Sequence, residues 1–148
     1  MRSDEIQVFV DGTINYFNTV SIRGAQVGSP YLLEDLNDSI FEYTGIIGIT
    51  GVYSGNILFS APKIMMQELL EEYDSSEIRP ELLLDLVGEV ANTLSGNARE
   101  SLGSNFNISP PVLSSGSIGE ISIAKGLQTY CIPIVWDGQR SNLILAVS

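Results

Sequence analysis

The sequence predicts an α+β fold, with helices packed on an extended, mainly antiparallel sheet. Three observations lead there. Apolar residues recur every three or four positions in three segments, 3–20, 62–73 and 80–102. Most of the remaining apolar residues fall in short β-rich runs, such as Ile40 to Thr50 and Gln128 to Trp136. Several of those runs are joined by tight turns, which suits antiparallel neighbours with helices between groups of strands.

The elements follow in order. Ser3 to about Val20 reads as a helix capped by Ser3, with Asp4 and Glu5 near the positive end of the helix dipole. Ile6, Val10, Ile14 and Phe17 give it a core face, with Phe9 and Val20 less regular. Ile22 to Leu33 is extended and broken near Gly28-Ser29-Pro30. Ile40 to Thr50 and Tyr53 to Ser60 form a hairpin that turns near Gly51. Pro62 opens a short helix whose core face is Met65, Leu69 and Tyr73, with Met66 and Leu70 beside it. Asp74 to Arg79 is a polar linker. Pro80 then suits the first turn of the longest helix, which ends near Gly103. Asn107 to Leu113 is an irregular or edge strand, because Pro110-Pro111 forbids helix. Ile118 to Ala124 is a further strand with a slip near Gly119. Gln128 to Trp136 and Ser141 to Val147 are paired through the Asp137-Gly138 turn. Pro133 cannot donate to a ladder, so part of its strand belongs near an edge. Trp136 is expected as a half-buried anchor.

Composition limits the chemistry. The 148 residues suit one domain, 1–148, and at 44% hydrophobic can bury a large core. The formal net charge of −11 argues against nucleic acid and against an anionic membrane surface. No apolar run reaches the roughly 18–20 residues of a membrane span, and the first residues do not resemble a signal peptide. There is no histidine, so the commonest general base, the Ser–His and Cys–His nucleophile pairs and the commonest zinc ligand are all missing. The single Cys131 cannot form an intramolecular disulfide and fits a reducing compartment, so a cytoplasmic protein is expected. Cys131 reads as packing. The sequence holds no phosphate loop, no GxGxxG after a strand, no CxxC and no HExxH. Glu34, Asp35 and Asp38 form an acidic loop that could hold a weak cation or could simply be solvated.

One face of the longest helix stands out. Leu83, Val87, Val90, Leu94, Ala98 and Leu102 make its apolar stripe. Beside it runs a second stripe of Asp85, Glu89, Asn92, Gly96 and Arg99, flanked by Gly88 and Ser95. Glu89 and Asn92 are three apart and project side by side, about 60° around the axis. Two interior glycines cost roughly 1 kcal/mol each relative to alanine, so close approach along that face is expected. Such a pair is common on solvated helices. It could also orient a water, because a carboxamide both donates and accepts without a catalytic pKa. Hydrolysis of an acyl phosphate needs little more than an in-line water and charge neutralisation.

The run Asp85-Leu86-Val87-Gly88-Glu89-Val90-Ala91-Asn92, continued by Gly96-Asn97-Ala98, resembles the CheX/CheC/FliY family of chemotaxis phosphatases, most closely its single-site CheX branch. Gly45 to Gly51 and Gly55 to Ser60 resemble that family's central hairpin. The resemblance implies an α+β fold and an aspartyl-phosphate protein phosphatase acting on a phosphorylated, CheY-like receiver domain of a response regulator. It implies that Asn92 positions the attacking water and that Glu89 pairs with the receiver's lysine. It places Asp85, Gly88, Gly96 and Arg99 at the partner, with both glycines allowing close docking. It implies that this chain binds no cofactor and that Mg2+ belongs to the receiver. It also implies a homodimer joined through sheet edges. The first helix offers Asp11 and Asn15 but no Glu-x-x-Asn, so one site per subunit is expected. Two other readings remain open: a non-catalytic module that binds a receiver or a flagellar switch component, and a small-molecule binder, which would need an enclosed apolar pocket.

Overall fold

The computed structural model describes residues 1–73, 79–103, 106–116 and 128–148. The strand expected at Ile118 to Ala124, linker residues 74–78 and the side chain of Tyr73 lie outside the described residues. The elements are α1 (Ser3–Val20), β1 (Gln26–Val27), β2 (Tyr31–Leu32), a 3-10 turn (Leu36–Ser39), β3 (Tyr43–Gly51), β4 (Gly55–Ala61), α2 (Lys63–Tyr73), α3 (Pro80–Leu102), β5 (Phe106–Ile108), β6 (Val112–Ser115), β7 (Thr129–Trp136) and β8 (Gln139–Val147). The strands form one antiparallel sheet in the order β1-β7-β8-β4-β3-β5, with β2 also on β7 and β6 also on β3.

The helices cover one face of the sheet. Strand alternation puts Ile57 and Phe59 of β4, Ile132, Ile134 and Trp136 of β7, and Leu143, Leu145 and Val147 of β8 on that face. They meet Phe9 and Phe17 of α1, Met65, Met66 and Leu69 of α2, and Leu83, Val87, Val90 and Leu94 of α3. Both α2 methionines are buried packing residues. Leu58, Cys131 and Ile144 form a small second cluster on the opposite face, under Leu33, Leu36, Ile40 and Ile46. Burial pushes the Cys131 thiol up, as expected of an inert packing cysteine.

Four expectations need correction. The N-cap of α1 is Arg2, one residue before Ser3, and the Glu5 carboxylate accepts from the Arg2 N–H at 2.9 Å. Ile14 is 36% exposed, whereas Thr13 and Tyr16 are buried. The core face of α1 is therefore turned slightly from the one its aliphatic residues mark. Trp136 is fully buried, its indole N–H donating to Ser21 Oγ at 2.9 Å, and the Arg23 guanidinium lies 4.4 Å above its ring. Finally, the extended run after α3 is two strands, not one. Both β5 and β6 pair with β3, and the chain breaks between them at Ser109-Pro110-Pro111. Ser109 spans the break: its N–H donates to the Gly48 carbonyl and its Oγ accepts from the Gly48 N–H.

The turns and edges follow the sequence closely. Asp137 and Gly138 both have positive φ, as the two-residue hairpin turn requires. Pro133 sits where the outer neighbour of β7 is itself broken, between β1 and β2. The missing Pro133 N–H therefore costs no ladder bond, while its carbonyl accepts from the Gly28 N–H at 2.8 Å. Asp35 caps the 3-10 turn by accepting from the Asn37 N–H.

Candidate functional site

The helix α3 starts with proline at its first turn and ends at Gly103, whose φ of 102° only glycine adopts readily. Its apolar stripe is buried, so the neighbouring stripe faces outward by geometry. Asp85, Glu89, Asn92 and Arg99 are all exposed. Neither Glu89 nor Asn92 makes a hydrogen bond or ion pair among the described residues, so both side chains are available to a partner.

The two glycines of this face have different surroundings. A Cβ on Gly88 would stand 2.4 Å from Leu113 Cδ2, with Pro111 also in contact. A Cβ on Gly45 of β3 would stand 2.9 Å from the Val87 carbonyl and 3.0 Å from the Gly88 Cα. Gly88 is therefore occupied inside the fold, where it seats α3 between β3 and β6. Around Gly96 a Cβ would meet nothing within 4 Å among the described residues.

Gly96 lies in an open groove of about 520 Å³, which Asn92 and Arg99 line from the helix and Asn107 and Ile108 from β5. Arg99 Nε donates to the Phe106 carbonyl at 2.9 Å, which ties the end of α3 to β5. Three of the singled-out residues, Asn92, Gly96 and Arg99, are thus brought to one groove. Glu89 stands beyond its rim on the same face, and Asp85 a further turn toward the helix start. Asn107 is a groove residue that the helix pattern could not reveal, because β5 reaches it through pairing with β3. The groove is polar and open, so it suits a protein surface better than an enclosed small molecule.

Elsewhere, a groove of about 600 Å³ lies on the sheet face away from the helices, lined by Tyr31, Asp38, Pro133, Arg140 and Asn142 among others. Among the described residues, no three His, Cys, Asp or Glu side chains are placed to hold a metal ion. None of the described helices is long and apolar enough to cross a membrane.

An antiparallel sheet with three helices on one face is the architecture of CheC/CheX-like proteins. The family model for chemotaxis phosphatase CheX matches residues 43–135, and the chain belongs to that family. Three solved structures place the likeness. A protein from Desulfovibrio vulgaris Hildenborough assigned to chemotaxis is 27% identical, with a TM-score of 0.82 over 98% of this chain and 97% of that one. The chemotaxis protein CheX of Vibrio vulnificus is 18% identical, with a TM-score of 0.85 over 99% of this chain and 100% of that one. The third is in the complex of CheX, CheY, BeF3 and Mg2+ from Borrelia burgdorferi, at 23% identity and a TM-score of 0.78 over 99% of each chain. No curated protein matches the sequence.

Proposed function

We propose that this protein hydrolyses the aspartyl phosphate of a CheY-like receiver domain. The observation that carries the reading is the exposed Glu89–Asn92 pair, unengaged among the described residues, on the outward face of α3. Family membership supports it, as does the Borrelia relative's complex with CheY.

In this reading the Asn92 carboxamide accepts from and donates to one water, and holds it in line with the phosphorus–oxygen bond to be broken. Water attacks phosphorus, the aspartate carboxylate leaves, and inorganic phosphate departs. No general base of high pKa is needed, which suits a chain without histidine. Glu89 pairs with a receiver lysine and sets the approach. The divalent cation belongs to the receiver. The protein works in the cytoplasm as a homodimer, using the outer sheet edges for self-association.

The test is phosphate release from a phosphorylated receiver. Asn92→Ala should return the rate to the receiver's own, a loss of about a hundredfold or more if water positioning is the main contribution. Its unfolding midpoint should not fall, because the side chain is exposed, makes no bond among the described residues and gives way to a better helix former. Unchanged acceleration in Asn92→Ala would refute the mechanism. Glu89→Ala should act mainly through weaker docking.

A further inference from the structure

We propose that Arg99 is the anion-recognising end of a polarised docking strip, and that the receiver places a carboxylate against it. This rests on the receiver-phosphatase reading and adds the register in which the two proteins meet. The exposed face of α3 is ordered along its axis. Asp85 and Glu89 lie toward its start, Asn92 follows, Gly96 opens the groove and Arg99 closes it. At 1.5 Å per residue, Arg99 stands about 15 Å from Glu89 and about 10 Å from Asn92 along the helix. A partner that gives a cation to Glu89 meets the opposite demand one groove-length away.

Two features favour a carboxylate as the occupant. Among the described residues Arg99 is the only cation lining the groove, with Glu100 as the one acidic residue in the lining. The Phe106 carbonyl takes its Nε, so the guanidinium is anchored at one edge and its terminal nitrogens remain to form a fork. Gly96 leaves the space that a partner loop needs to reach it. The simpler role for Arg99 is local, because a cation in the last turn suits the helix dipole and ties α3 to β5. The two roles separate experimentally.

Affinity for a beryllofluoride-loaded receiver is measured with wild type, Arg99→Gln, Arg99→Lys and Arg99→Glu, at low and at high salt. Glutamine keeps an amide donor for the Phe106 carbonyl and drops the charge. We expect Arg99→Gln to bind about threefold to fivefold more weakly at low salt and Arg99→Glu about tenfold or more, with Arg99→Lys between wild type and glutamine. The differences should shrink at high salt. In phosphate release the loss should fall on KM and leave kcat in place, because Asn92 is untouched. Equal low-salt affinity of wild type, Arg99→Gln and Arg99→Glu would overturn the proposal. So would a loss that tracks unfolding midpoint and ignores salt. The two readings fail differently: if binding depends on Arg99 but wild type does not accelerate phosphate release, docking polarity stands and the phosphatase reading falls. If wild type does not bind, both fall.

Discussion

Gly88 and Gly96 sit on the same helix, in the same motif, and the same conformational cost attaches to each. Their environments are opposite. Gly88 is filled from within, by Leu113 on one side and the backbone of Gly45 on another. Gly96 faces open space among the described residues. A glycine required by the fold and a glycine left over by the fold cannot be told apart from the chain alone. The difference teaches that one motif serves two ends: its first part fastens the helix to the sheet, and its second part leaves room outside.

The contrast can be broken at several places. The largest effect should come from Gly45→Leu, where a side chain would wedge into the Val87 carbonyl and Gly88 Cα. We expect a loss of about 3 kcal/mol in urea unfolding. A loss below about 1 kcal/mol would mean that α3 is not seated there. Next is Gly96→Ala, which should raise stability by up to about 1 kcal/mol, since nothing opposes the added methyl and alanine is the better helix former. If the groove receives a partner, the same variant should bind the receiver less well. A stabilised protein with weaker binding is the expected pair of results.

Gly88→Ala should not repeat that gain. The Leu113 side chain must move aside, and the net change should lie between zero and about 1 kcal/mol of destabilisation. The smallest effect lies away from α3, at Glu5. Burial pushes this carboxyl up, but the Tyr53 hydroxyl, the Arg2 N–H and the Arg2 charge outweigh it and hold the carboxyl below the ordinary glutamate value. Its folded pKa is therefore depressed. The stability it contributes is present above the unfolded value and is lost as pH falls through the folded one. Tyr53→Phe should flatten stability against pH on the acid side and leave the responses of Gly88 and Gly96 unchanged.

What the sequence made legible was local. Pro80 and Gly103 mark both ends of α3, and the observed helix ends where they indicate. The Asp137-Gly138 turn and the central hairpin were equally clear, because each is fixed by neighbours in the chain. The missed features depend on distant partners. Trp136 can be fully buried because Ser21, 115 residues away, receives its N–H. β5 and β6 are two strands because both answer to β3, and the period of α3 could not show which of its glycines β6 would cover. For the site, Glu89 and Asn92 could be picked out by residue type and spacing, whereas Asn107 became visible only once β5 was laid beside β3.

The close seating of α3 on Gly45 also bears on entropy. A helix held to a strand by near contact of their backbones has little freedom to rock or slide. When a partner arrives, the main motions still to be frozen on this side are the rotamers of a few exposed side chains, at about 0.5–1.5 kcal/mol each. Most of the ordering needed for recognition is therefore completed during folding, before any encounter takes place.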